Sequence, residues 1–209
     1  MKIFIVATQI LLAHTVFSQS FETPVRLSAN EPLTATGRVT WALESTFGPT
    51  SILSISTQSA LKTWSNSPRE YGPHWDGFGK RIASGIAVSG VSDAVEASVG
   101  ALWGEDPRYR RQGQGSAGAR LKYVVKMAFM ADRASGDARP AYARFIAIPS
   151  SQIISNAWRP PSEVGVGDTT LRIGLSFARQ IGGNAFSEFW PDLRRKITRR
   201  GVAGKSSSD

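Results

Sequence analysis

Glu105 and Asp106 are adjacent carboxylates, and glycoside hydrolysis uses two such groups, one as acid and one as base or nucleophile. Just beyond them, Arg108 offers a two-pronged guanidinium for a carboxylate or phosphate, and Tyr109 a phenolic hydroxyl. Together they outline a hydrolase or transferase acting on an anionic substrate. The same stretch also reads as a locked corner. Neighbouring side chains point in different directions, Asp106-Pro107 suits a helix cap followed by a first helical residue, and Arg108 can pair with Glu105. Ser155-Asn156-Ala157-Trp158 is the second candidate, with Asn156 as a helix stop and Trp158 at an interface.

Other chemistries find little support. Cysteine is absent, which removes disulfides, thiolate metal sites and thiol nucleophiles. His74 is the only histidine after the N-terminal stretch, too few for the usual zinc site and without a Gly-x-Ser-x-Gly elbow to serve. The glycine-rich run 110–118 lacks the Gly-Lys-Ser/Thr ending and the preceding strand of a phosphate loop. No metal and no cofactor is expected.

These residues must be positioned by helices. Val88, Val91, Val95, Val99 and Leu102 recur at steps of three and four, which predicts one apolar face on a central helix from about Trp75 to Trp103. Glycine, alanine and serine beside that face would let another helix come close. Length would allow this helix to cross a bilayer. Asp93 and Glu96 argue against it, at about 2.5–3.5 kcal/mol each near the bilayer centre, so a buried or interfacial helix is expected.

Around it, helices are predicted from Thr34 to Phe47, Thr50 to Trp64 and Ala119 to Ala131, and from Asp168, as cap, toward Phe189. Ala141–Ile148 reads as strand or helix, broken at Pro149, with Ser150 or Ser151 capping a short helix through Ala157. The expected fold is mostly all-α: a single domain at 32–200 of about six or seven helices, the number that length and pattern allow.

Residues 1–18 have the layout of a secretory signal: Lys2, an apolar run, and Val16-Phe17-Ser18 before the expected cleavage. Residues 19–31 read as an exposed lead-in and 201–209 as a disordered tail. The net charge is +9. Its excess gathers in Arg108, Arg110, Arg111, Arg120, Lys122 and Lys126, and again in Arg194, Arg195, Lys196, Arg199 and Arg200. For an exported chain the anionic partners at hand are lipid headgroups and cell-envelope polymers rather than nucleic acid.

The succession Phe47-Gly48-Pro49, Gly77-Phe78-Gly79-Lys80-Arg81, Glu105-Asp106-Pro107-Arg108-Tyr109, Ile154-Ser155-Asn156-Ala157-Trp158, Val166-Gly167-Asp168 and Glu188-Phe189-Trp190-Pro191-Asp192 resembles an uncharacterised family of exported, mostly helical proteins abundant in acidobacterial genomes. The likeness runs from about Leu33 to Arg200. Arg159-Pro160 replaces the more usual Tyr-Pro, and Pro149 interrupts a helix expected to be continuous. The resemblance implies an exported helical domain and carries over no catalytic residue.

The sequence therefore leads to a non-enzymatic envelope protein, periplasmic or associated with the outer membrane, that meets a membrane surface through basic and aromatic helices. The alternatives are the hydrolase or transferase at Glu105 and Asp106, and a lipid or small-ligand carrier with a pocket at Val91, Val95 and Val99. The small-residue face suits packing within the chain or against a second copy.

Overall fold

The computed structural model describes residues 33–133 and 135–205, with side chains as far as Thr198. The expected signal (1–18), the lead-in (19–31) and the last four residues of the tail lie outside the described residues.

Helix α1, Ala35–Phe47, begins where the Thr34 hydroxyl accepts from Gly37 N at 3.1 Å. It ends at Gly48, whose extended backbone leads directly to Pro49, the first residue of α2, Pro49–Trp64. Proline fits there because its missing N–H would have no intrahelical partner. The two helices form one broken rod antiparallel to α3, Trp75–Trp103: Arg38 meets Ala97, Thr46 meets Asp93, and Ile55 lies against Gly85.

Gly104 ends α3 in the left-handed conformation, φ 66°, which glycine adopts without strain. Strand β1, Glu105–Asp106, pairs antiparallel with β2, Met130–Arg133, in the register Glu105↔Arg133. β2 pairs in turn with β3, Ala138–Pro140. Helix α4, Ala117–Phe129, precedes β2, and its first turn is capped by Ser116. Helix α5, Tyr142–Ser155, packs along α3, and α6, Val166–Lys205, packs on α4 and α5.

The fold is mostly α-helical and built around α3. Several details depart from expectation. Asp106 caps no helix, because the chain after Gly104 enters a sheet. Helix α5 runs through Pro149; hydroxyls take up carbonyls around it, Ser150 Oγ bonding the Ile146 and Ala147 oxygens and Ser151 Oγ that of Ile148. Helix α6 starts at Val166, with Asp168 inside its first turn, and continues past Pro191 to Lys205, into the expected tail.

The largest correction concerns α3. Its buried residues are Gly77, Arg81, Ser84, Val88, Glu96, Ala97 and Gly100. Val91, Val95 and Val99 are half-buried, and Leu102 is 80% exposed. The small and charged face, not the valine face, is turned inward, since only small residues admit a neighbouring helix so close.

Candidate functional site: ion pairs beneath an apolar shell

The two adjacent carboxylates do not converge on one cavity. Glu105, 2% exposed, takes the N–H of Ala143 on one oxygen at 3.0 Å, while its backbone carbonyl accepts from Arg38 at 2.8 Å. The carboxylate thereby serves the first turn of α5, where Ala141 has no side chain to cap with. Asp106 instead accepts the N–H of Arg108 at 3.0 Å, its guanidinium at 2.7–3.2 Å, and Arg110 at 3.1 Å. Burial alone would raise the Asp106 carboxyl, but these donors hold it below the usual carboxylate range.

Tyr109 points away from both, onto α6. Its hydroxyl donates to Glu188 at 2.8 Å. The same carboxylate accepts the N–H groups of Gln112 and Gly113, both at 2.9 Å, and Arg120 Nε at 2.6 Å. Glu188 is fully buried. Burial pushes its carboxyl up, yet these four donors bring it below normal. The phenol of Tyr109 is raised by burial and by that carboxylate. One turn later Asp192 takes Arg111 at 2.7 Å and Arg120 at 2.8 Å, and these two guanidinium groups lower it to about 2. Two of the motifs noted in the sequence therefore interlock, the loop after β1 with the Glu188–Asp192 turn.

Asn156 and Trp158 also serve packing. Asn156 bonds Thr169 at 3.1 Å and accepts from Arg172. Trp158 Nε1 donates to Ser84 on α3 at 3.1 Å. Of the late basic cluster, Arg194, Arg195 and Lys196 are exposed on α6, with Arg194 and Arg195 beside Trp190 in a surface hollow. Arg199 and Arg200 lie on the same helix, with side chains outside the described residues. His74 is exposed ahead of α3. Among the described residues no three metal-ligating His, Asp or Glu side chains are grouped.

Sequence reasoning missed the interior. Buried Arg81 donates to the carbonyls of Ser67, Pro68 and Gly72. Buried Arg144 pairs with Glu96 at 2.9 Å and also reaches the Met127, Ala128 and Pro107 carbonyls. The available signal was a single charge inside an apolar or small-residue run, as with Arg144 within Ala141–Ile148.

Many large apolar side chains, meanwhile, are exposed. Trp64 is 87% exposed, Trp75 84% and Val166 86%, and Leu43, Ile146 and Leu171 are among many others. Among the ionisable residues of α1 to α3, Arg38, Arg81 and Glu96 are buried and Asp93 half-buried. Asp76, Lys80 and Lys62 are exposed near the Trp75 end, and Glu44 is exposed on α1. A cavity of about 310 Å³ opens between α2, α3, α5 and α6. Val91, Val95 and Val99 do not line it.

Comparison of the chain with protein-family models, curated proteins and solved structures gave no match.

Proposed function

We propose that the protein is a non-enzymatic component of the cell envelope that works from within a membrane, its helices set in lipid around a polar, ion-paired interior. The side chains of α1, α3 and α5 carry this reading: Arg38, Arg81, Glu96 and Arg144 are buried while Leu43, Leu102, Phe145, Ile146 and Ile153 are exposed; on α4 Lys122 and Lys126 face outward. Monomeric soluble proteins rarely leave contiguous apolar surface on this scale. Envelope targeting rests on the expected signal at 1–18.

Helix α3 is long and apolar enough to cross a bilayer, and only 22% of its apolar window is buried within the chain. Trp75 and Trp103 stand about 42 Å apart at 1.5 Å per residue, close to the bilayer thickness with headgroups of roughly 40–45 Å. Tryptophan is favoured at both of those levels. The penalty that Asp93 and Glu96 would incur belongs to lipid-facing charges; Glu96 is paired with Arg144, and Asp93 accepts from Thr46 at 2.8 Å. In this reading the exposed Arg194, Arg195 and Lys196 of α6 meet anionic headgroups.

The test is extraction of the full chain from bacterial membranes, with high salt, alkaline carbonate and detergent in turn. Resistance to the first two and release by detergent is the expected result. Release by salt alone would replace insertion with surface attachment through the basic cluster, and recovery in the soluble fraction would overturn the reading.

A further inference from the structure

The cavity between α2, α3, α5 and α6 is lined by five basic side chains, Lys62, Arg81, Arg159, Arg172 and Arg179, against the single carboxylate of Glu163. Three of the five are engaged. Arg81 holds the carbonyls of Ser67, Pro68 and Gly72. Arg159 bonds Glu163 at 2.6 Å and Ser155 at 3.0 Å. Arg172 holds Asn156, Gln152 and the Glu163 carbonyl.

Lys62 and Arg179 differ. They stand on opposite walls, α2 and α6, and make no hydrogen bond or ion pair among the described residues. Asp93 acts on Arg179 and Glu163 on Lys62 from beyond ion-pair distance, so both cations keep their donors free, and with Gln58 and Ser59 on the same lining they form a receptor for an anion that needs several donors. Phosphate fits, since guanidinium forks and ammonium groups are its usual protein partners. The remaining wall is apolar: Ile55, Val88 and Leu175. Leu175 is 58% exposed and joins the cavity to the outer shell with Leu171.

We infer that this cavity binds a phosphate group through Lys62 and Arg179, and that the phosphate is the headgroup of an anionic lipid whose chains run out over Leu175. The lipid part of this inference rests on the membrane reading, whereas phosphate recognition does not. The volume suits a headgroup, lying at the small end of ligand pockets.

The experiment uses the full chain in phosphate-free neutral detergent. It is titrated with inorganic phosphate, with short-chain phosphatidylglycerol and with short-chain phosphatidylcholine, with binding read by calorimetry. The expected result is saturable binding of phosphatidylglycerol at least about tenfold tighter than of phosphatidylcholine, weakened about tenfold or more in a Lys62→Gln/Arg179→Gln variant, as loss of charge-assisted bonds predicts. An Arg139→Gln variant, which alters an exposed arginine of β3 away from the cavity, should bind as the parent does. Neither Lys62 nor Arg179 holds the fold through a side-chain hydrogen bond among the described residues, so circular dichroism should be unchanged.

Phosphate binding as tight as that of phosphatidylglycerol would overturn the lipid assignment and leave the phosphate site. Absence of binding, or binding indifferent to Lys62 and Arg179, would overturn the site. A chain that is soluble without detergent yet binds phosphate through Lys62 and Arg179 would remove the membrane reading and keep the pocket.

Discussion

Arg144 on α5 reaches a single oxygen of Glu96 on α3 with two nitrogens, Nε at 3.0 Å and Nη2 at 2.9 Å, where both residues are under one-tenth exposed. A buried pair of this kind punishes the loss of one partner far more than the loss of both, because the survivor is left charged without a counterion. Arg144→Met and Glu96→Gln should each cost about 3–5 kcal/mol in equilibrium unfolding. The double variant Glu96→Leu/Arg144→Met should recover a measurable part of that loss. A double variant no better than the worse single one would mean that Arg144 acts mainly through the carbonyls of Met127, Ala128 and Pro107.

The clamp on α6 predicts acid sensitivity with a defined sign. Asp192 is lowered from 3.8 to about 2 by Arg111 and Arg120, and Glu188 is lowered by its donors despite burial. A carboxyl whose folded value lies below its unfolded value adds stability above the unfolded value and loses it as pH falls toward the folded one. For Asp192 that loss runs from about pH 4 down to about pH 2. Thermal unfolding between pH 6 and pH 2 should show a smaller decline in Asp192→Asn than in the parent. Equal declines would mean that Asp192 holds the same proton affinity folded and unfolded.

The extent of the long helix was legible because no proline stands between Pro73 and Pro107 and Gly104 closes the apolar period. Which side of it faces inward was not. Val88, Val91, Val95 and Val99 give the same period whether they touch a protein core or lipid, so periodicity finds a face without saying what covers it. Tyr109 and Glu188 lie 79 residues apart, and each motif alone offers only an unpaired polar group. The corner at Glu105 was visible, but Asp106 was read by the local rule for Asp-Pro, and a two-residue strand leaves no pattern to overrule that rule. Pro149 was read locally too, while the hydroxyl of Ser150 and the packing of α5 on α3 decide the outcome.

Gly77 tests how tightly α3 is held to the turn before it. A Cβ built there would overlap the carbonyl oxygens of Tyr71 and Gly72 and crowd Arg81 Nη1 at 2.8 Å. Those are backbone atoms, and the Gly72 oxygen is one that Arg81 holds. Gly77→Ala should therefore destabilise the chain by about 1–3 kcal/mol, the usual cost of overpacking. Gly79→Ala, where a Cβ meets nothing within 4 Å, should be neutral or slightly stabilising, since alanine is the better helix former. The comparison needs only denaturation midpoints for the two variants. Equal midpoints would show that the turn yields freely.

Ile146 separates a lipid-facing shell from a water-facing one. It lies within α5, 45% exposed, two residues beyond the Arg144 that meets Glu96 in the middle of the bundle. On a surface in water, Ile146→Arg would change stability by no more than about 0.5 kcal/mol. In the hydrocarbon layer the same arginine costs about 2.5–3.5 kcal/mol near the centre. Unfolding in lipid bicelles should therefore show a loss of the second size, and membrane recovery of the variant should fall with it. Lys80→Ile, at the exposed end of α3 where Lys80 pairs with Asp76 at 2.7 Å, should change little, because an exposed pair contributes about 0–1 kcal/mol. A tolerated arginine at Ile146 would mean that this face meets water, and the apolar shell would then have to be covered by protein instead.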